Sequence, residues 1–258
     1  MENNFKKLVR TLQSELPFLK EAKDSFYLRA RRLLRRPHEA DFGVLSLIPA
    51  SALGHWVDVG ANHGQSIESI LIFRPDAEII SFEPNPRLAQ KLAARYNGRA
   101  NVQINAKGLG DKAGEFTLFV PSYKGFLYDA VASLDRDAAV SWISERTVLN
   151  FNPAKLSIAE MRCEVETLDA QQLAPVFLKL DVQGYEYNVL CGGRETLRRH
   201  EPILLIESFR SDPRSVQLTE ELGYEEYFYD GSTLRKGPPP SGPNSFLMTP
   251  GRAKTLLG

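Results

Sequence analysis

Trp56-Val57-Asp58-Val59-Gly60-Ala61-Asn62-His63-Gly64 and, one crossover later, Ile79-Ile80-Ser81-Phe82-Glu83-Pro84-Asn85 decide the fold. In each stretch a short apolar run closes on an acid. The first passes through a glycine-bearing turn into residues 65–73, where Ile67, Ile70 and Leu71 recur at helical spacing until Pro75 stops the helix. Strand, glycine turn, helix and a second strand closed by a carboxylate make the opening unit of an α/β sheet, whose ligands lie beyond the carboxyl ends of its strands.

Downstream, Asn85 is an N-cap ahead of Pro86 at the first helical position, and Leu88, Leu92 and Tyr96 line one helix face. Residues 102–104 pattern as a third strand. The alternation predicts right-handed crossovers and a mostly parallel, Rossmann-like sheet with helices on both faces. Between residues 105 and 170 the rhythm changes: 115–120 and 163–168 read as strands, and only 138–145 has helical character. We read an insertion over about 110–170 that folds across the ligand edge, where insertions commonly set substrate choice. The α/β rhythm returns with a strand at 176–180, a helix near 185–190, a strand at 203–206, and a helix that Asp212-Pro213 opens and Gly223 ends. Residues 224–229, a turn at Asp230-Gly231-Ser232, and 245–249 predict an antiparallel C-terminal edge, with Pro238-Pro239-Pro240 as a rigid loop. The expected organisation is a basic helical extension over 1–50 and an α/β domain over 51–258.

The 258 residues suit one large domain or one domain with an appendage, and 43% hydrophobic with 25% charged residues supports a substantial core. Lys+Arg and Asp+Glu number 32 each, a balance that argues against a dedicated nucleic-acid binder. Cys163 and Cys191 lack metal-ligand spacing, so no zinc site or disulfide framework is expected and a reducing cytoplasm fits. No apolar run is long enough to span a bilayer, and the N-terminus lacks the apolar segment of a secretory signal. Charge is uneven, with ten Lys/Arg against five Asp/Glu in residues 1–40. Phe5, Leu8, Val9, Leu12 and Leu16 recur there at helical spacing, as do Phe26, Ala30, Leu33 and Leu34. Such an arm suits peripheral contact with an anionic membrane, a partner protein or an acidic substrate. The plainer reading, favoured by the five acids, is a pair of helices covering an open face of the domain.

Two cofactors compete for the glycine turn. A dinucleotide site wants G-x-G-x-x-G, because its pyrophosphate sits directly on the helix N-terminus. Counted from Gly60, the later glycines of that pattern would fall at Asn62 and Gln65, so it fails twice. Asp58-x-Gly60-x-Asn62-x-Gly64 instead leaves room for a bulkier zwitterionic tail such as that of S-adenosylmethionine, with Glu83 on the ribose hydroxyls. Alone, Gly60 and Gly64 would say only that the turn is tight. But Phe177-Leu178-Lys179-Leu180-Asp181 and Leu204-Leu205-Ile206-Glu207 also end apolar strands in acids, which gathers Asp58, Glu83, Asp181 and Glu207 along one edge. For any single one of them, Glu207 above all, a helix cap or a surface ion pair is the alternative.

Val57-Asp58-Val59-Gly60-Ala61-Asn62-His63-Gly64, Phe82-Glu83-Pro84-Asn85-Pro86, and Leu178-Lys179-Leu180-Asp181-Val182-Gln183-Gly184-Tyr185-Glu186 with Val189-Leu190-Cys191-Gly192-Gly193 together resemble the FkbM-type methyltransferases. Leu109-Gly110-Asp111 with Gly114, Ala132-Ser133-Leu134 and Val165-Glu166-Thr167-Leu168-Asp169 follow in that family's order. The resemblance covers roughly residues 55–210. It implies a class I S-adenosylmethionine-dependent fold and, usually, O-methylation of small-molecule, sugar or polysaccharide hydroxyls. Gln183 is a departure, since many members carry Glu there.

On this reading the cofactor contacts are Asp58, Gly60, Asn62, Gly64, Glu83 and Pro84, with Asn105, Leu109 and Asp111 after the third strand, where an adenine would lie. Methyl transfer is an in-line displacement that needs an aligned acceptor oxygen and removal of its proton. Asp181 is the first candidate base. His63 is the second, by its ordinary pKa, against the plainer role of a turn residue. Lys179 either faces the substrate or pairs with a carboxylate such as Asp181. Gln183, Tyr185, Glu186 and Glu207 are candidate acceptor contacts. Tyr123, Phe126 and Tyr128 either stack on a sugar ring or pack the insertion onto the sheet. No metal site is expected. The competing functions are an NAD(P)- or nucleotide-sugar-binding oxidoreductase and a catalytically inactive methyltransferase-like scaffold.

Overall fold

The structure, a computed structural model, describes Arg31 and residues 34–257. Of the extension expected over 1–50, the described part contains a 3-10 helix at Ala40–Ser46, and residues 1–30, 32 and 33, most of the amphipathic arm before it, lie outside the described residues. The chain then forms β1 (His55–Val59), α1 (Gln65–Phe73), β2 (Glu78–Phe82), α2 (Pro86–Tyr96) and β3 (Val102–Asn105). Next come β4 (Gly108–Leu109), β5 (Gly114–Tyr123), β6 (Phe126–Leu127), α3 (Arg136–Trp142) and β7 (Leu156–Glu166). The last third comprises β8 (Pro175–Leu180), α4 (Glu186–Cys191), α5 (Arg194–His200), β9 (Ile203–Glu207), α6 (Pro213–Glu221), β10 (Glu225–Tyr229), β11 (Leu234–Lys236), β12 (Asn244–Met248) and α7 (Pro250–Leu257). No helix among the described residues is long and apolar enough to cross a membrane.

Helices begin where local chemistry satisfies their free amides. Asn85 accepts the Arg87 N–H at 3.1 Å with Pro86 at the first helical position, and Asp212 accepts the Arg214 N–H at 3.0 Å ahead of Pro213. Each such cap is worth about 1 kcal/mol.

The main sheet runs β3-β2-β1-β8-β9-β12-β10-β11. The strands from β3 to β9 are mutually parallel, and the pairings from β9 outward to β11 are antiparallel. This is the mostly parallel α/β sheet with an antiparallel C-terminal edge that the sequence predicts. Its strands read as near-continuous apolar runs because both faces are covered. Trp56, Phe177 and Leu205 pack with Phe42, Ile67, Ile70 and Leu92 on one face. Val57, Leu178 and Leu204 pack with Val189, Leu197 and Leu218 on the other. Each fully buried aliphatic contributes about 1.5–3 kcal/mol. Chain order reverses between β1 and β8, so the crevice at their carboxyl ends is a topological switch point.

The second sheet runs β4-β7-β5-β6. β5 and β7 pair from Gly114↔Val165 to Tyr123↔Leu156, a longer ladder than 115–120 with 163–168. Residues 156–162 are half-buried or exposed with none fully buried, which leaves little apolar signal. Leu168 is a core residue ahead of a 3-10 turn rather than part of the strand. The helix expected over 138–145 starts at Arg136 because Asp135 caps the amides of Asp137 and Ala138. α5 and α7 are additions to the expected elements; α5 buries only Thr196 and Leu197.

Candidate active site

At the end of β1 the chain must turn against the loop that follows β8. Gly60 has φ +84°, and a Cβ there would stand 1.9 Å from the Asp181 carbonyl oxygen, so only glycine fits. The Gly60 and Ala61 N–H groups donate to the Phe82 carbonyl at 3.0 and 3.1 Å, which fastens the turn to the end of β2. Asn62 (φ +50°) and Gly64 (φ +86°) complete the left-handed path into α1.

That path delivers the Asn62 N–H to Glu83. Oε2 of Glu83 accepts it at 2.7 Å, and Oε1 accepts the Asn85 N–H at 2.9 Å. Glu83 is 5% exposed; burial pushes its carboxyl up to about 7, against the pull of the two amides. Each oxygen still has a lone pair to offer a ligand hydroxyl. The carboxylate opens on a cleft of about 580 Å³ whose apolar walls include Pro84, Leu109, Leu118, Leu134 and Val182. Apolar walls and a few converging polar groups are those of a small-molecule site.

Behind the cleft lies a buried ion cluster. Asp58 on β1 and Lys179 on β8 are register partners. Lys179 Nζ stands 3.1 Å from Asp181 Oδ2, 3.6 Å from Asp58 Oδ1 and 3.5 Å from the Gly60 carbonyl oxygen. Burial works against the ammonium, but Asp181 and Asp58 outweigh it and hold the Lys179 pKa above its ordinary value. Burial pushes Asp58 up, against Lys179 and the Ser81 hydroxyl that donates to it at 3.3 Å. Asp181 moves the other way: burial opposes its charge, yet Lys179 and hydrogen bonds from Glu207 and Gln183 hold it below the usual carboxylate range.

Gln183 Nε2 donates to Asp181 Oδ1 at 2.8 Å and reaches Glu207 Oε2 at 3.4 Å. Glu207 is pushed up to about 8, first by its hydrogen bond to Asp181 and then by burial. Asp181 and Glu207 thus form a carboxyl pair bridged by the Gln183 amide, its two members shifted in opposite directions.

Gly60, Asn62, Glu83, Pro84, Leu109, Asp181, Gln183 and Tyr185 are therefore brought together around one cleft. Several other candidates lie elsewhere. Asp58 sits behind the cleft as the ion partner of Lys179. Gly64 is the N-cap of α1, and His63, outside the cleft wall, offers its carbonyl to Arg95 at 2.5 Å. Asn105 braces the end of β2: its Nδ2 donates to the Ser81 carbonyl at 3.3 Å and its carbonyl accepts the Glu83 N–H at 3.0 Å. Asp111 accepts from Asn188 at 3.2 Å. Glu186 Oε1 accepts the N–H groups of Val182 at 3.1 Å and Gly184 at 3.3 Å, fixing a loop in which Gln183 and Gly184 are left-handed.

Tyr123, Phe126 and Tyr128 are buried with Val131, Ile143 and Val148 in the insertion's own core, which is a packing role. The insertion reaches the cleft through Leu118, Asp129, Ser133 and Leu134, none of which periodicity singles out. The Ser133 hydroxyl donates to the Gln183 carbonyl at 3.1 Å and ties the insertion to the loop after β8. The Ala132-Ser133-Leu134 motif was the available signal. Among the described residues no group of three or more His, Cys, Asp or Glu is arranged to hold a metal ion.

Comparison with known proteins gives several matches. The methyltransferase FkbM domain model matches residues 58–226. The 2-O-methyltransferase NoeI of Sinorhizobium fredii (strain NBRC 101917 / NGR234) is 24% identical over 143 residues, 55% of this chain and 58% of that protein. The chain thus matches little more than half the length of this curated relative. The crystal structure of methyltransferase FkbM from Methylobacillus flagellatus KT overlaps 79% of this chain and 47% of its own, at 17% identity and a TM-score of 0.46. Precorrin-6y C5,15-methyltransferase from Geobacter metallireducens GS-15 overlaps 80% and 82% of the two chains, at 15% identity and a TM-score of 0.37.

Proposed function

We propose, from the premise that the chain belongs to the methyltransferase FkbM family, that it transfers the methyl group of S-adenosylmethionine to a hydroxyl of a sugar, polysaccharide or small-molecule acceptor. Glu83 carries the reading. It is a buried carboxylate, oriented by two backbone amides, at the end of β2 beside a switch-point cleft.

When bound, S-adenosylmethionine supplies an electrophilic methyl carbon on a sulfonium leaving group. The residues present suit this cofactor. Glu83 offers acceptors to the two ribose hydroxyls. Pro84, Leu109, Leu118 and Leu134 offer an apolar slot to the adenine. The turn at Gly60 and Asn62, free of bulky side chains, admits the amino-acid tail.

On the acceptor side, the Asp181–Glu207 pair receives the hydroxyl proton as the new carbon–oxygen bond forms. Lys179 holds Asp181 in place and ionised, which makes it a positioning residue. Alignment supplies roughly 7–11 kcal/mol of the barrier, and proton removal about 10²–10⁴-fold in rate. The 2-O-methyltransferase NoeI supports oxygen as the accepting atom. The free thiols of Cys163 and Cys191 suit a reducing cytoplasm.

The test is acceptor-dependent formation of S-adenosylhomocysteine from a panel of glycans, monosaccharides and small alcohols. Asp181→Asn should cut turnover by about 10²–10⁴-fold while leaving S-adenosylhomocysteine affinity nearly intact. Near-normal turnover in that variant removes Asp181 from the proton's path. No product from wild type with any acceptor class removes methyl transfer.

A further inference from the structure

Gln183 separates the cleft from a second recess of about 850 Å³, bounded by the carboxyl end of β9, the loop after β8 and the first turn of α6. Its wall carries Glu186, Glu207 and Asp212 together with Ser208, Ser211 and Ser215. Among its described lining residues every ionisable side chain is an acid. The nearby guanidinium groups are engaged: Arg214 Nε lies 3.0 and 3.1 Å from the Asp212 oxygens, and Arg210 Nε donates to Glu226 at 2.9 Å.

Ser215 is an independent sign that the recess receives a ligand. It is 1% exposed, yet its Oγ has no hydrogen-bond partner among the described residues. Its backbone is fully used: the N–H donates to the Asp212 carbonyl at 3.0 Å, and the carbonyl accepts the Thr219 hydroxyl at 2.9 Å. Buried hydroxyls are nearly always paired, so an orphan in the wall of a polar recess marks a place for a ligand's polar group.

We infer that this recess is the acceptor subsite and that it takes an uncharged polyhydroxyl ring, a neutral sugar, in preference to a uronate or a sugar phosphate. The inference rests on the methyl-transfer reading above. A sugar hydroxyl both donates and accepts, so it can donate to the carboxyl groups and pair with Ser215. The Asp181–Glu207 pair spans the two spaces, with Asp181 in the cleft wall and Glu207 in the recess wall. A ring seated in the recess therefore presents a hydroxyl to the pair beside the cleft. An anionic group would find no cationic side chain among the described lining residues to receive it, and a charge left unpaired in a concave site is rejected where a hydroxyl is not.

Saturation-transfer NMR on the full chain with S-adenosylhomocysteine present tests this, using methyl galactoside and methyl glucoside against galacturonate, glucuronate and glucose 6-phosphate. The neutral glycosides should bind at least about tenfold more tightly than the anions. Ser211→Trp, at an exposed position in the wall, should abolish the glycoside signal. Ser215→Ala should weaken glycosides about 3–10-fold. Both variants should take up S-adenosylhomocysteine calorimetrically within about twofold of wild type, which also shows that they fold. Equal or tighter binding of the anions, an unchanged glycoside signal in Ser211→Trp, or no glycoside binding overturns the inference while cofactor uptake persists. Absence of cofactor uptake by wild type overturns the methyl-transfer reading itself, and the inference with it.

Discussion

Replacing Lys179 with methionine keeps a side chain of similar length and removes the charge between Asp58 and Asp181. At an effective dielectric of about 20, the attraction at 3.1 and 3.6 Å amounts to about 5 kcal/mol for each contact. Much of this offsets the desolvation of the buried ammonium, and without it the two acids relax by binding protons. The net loss on stranding a buried partner is about 3–5 kcal/mol. That is a large share of a domain's ~5–15 kcal/mol, and at about 2–4 °C per kcal/mol it lowers Tm by about 6–20 °C. Guanidinium unfolding followed by circular dichroism, with Tm from calorimetry, measures it. Asp58→Asn in the Lys179→Met background should restore a substantial part, because it removes one of the stranded charges. The pH dependence is fixed in sign. Without Lys179, burial raises both carboxyls above their unfolded values, so the stability they contribute is complete at low pH and lost as pH rises. The deficit should be larger near about pH 8 than near about pH 5. A loss under about 1 kcal/mol, the scale of an exposed ion pair, with no pH dependence would refute the buried cluster.

Glu83 gives a second pH signature. Its carboxyl is raised from 4.5 to about 7, so its contribution to stability is complete below about pH 4.5 and lost as pH rises through about 7. The interval corresponds to roughly 3 kcal/mol, and Glu83→Gln should remove that slope from the urea midpoints of the unliganded protein; parallel slopes in the two proteins would count against a buried Glu83. Gly60→Ala places a methyl group 1.9 Å from the Asp181 carbonyl oxygen at φ +84°, and should destabilise by at least about 2 kcal/mol, read as a fall in Tm. An unchanged Tm would mean that the turn does not abut the loop after β8.

The parts of the fold legible from sequence are those where one apolar run is one buried strand. β1, β2, β8 and β9 are covered on both faces, so each reads as an apolar run, with Glu83, Asp181 and Glu207 at the ends of β2, β8 and β9 and Asp58 fully buried one residue short of the end of β1. N-caps were equally plain at Asn85 and Asp212, because the capping residue and the proline after it are adjacent in the chain. Pairings between distant strands were not. That Asp58 lies opposite Lys179 depends on the β1–β8 register, which periodicity does not encode. The insertion of β12 between β9 and β10 is likewise a matter of sheet order. Short elements with little buried surface escaped notice, as α5 with Thr196 and Leu197 illustrates. The cleft residue Leu118 and the recess residue Ser215 stand out only by what surrounds them, and Leu134 only through the Ala132-Ser133-Leu134 motif.

Calorimetric titration of the full chain with S-adenosylhomocysteine addresses the central claim most directly. One molecule should bind per chain, more tightly as pH rises through about 7 and Glu83 ionises. Removing that carboxylate in Glu83→Ala, at about 1.5–3 kcal/mol for a hydrogen bond to a charged group, should weaken binding at least about tenfold. Heat of binding absent from folded wild-type protein, or equal affinity in Glu83→Ala, would contradict the account.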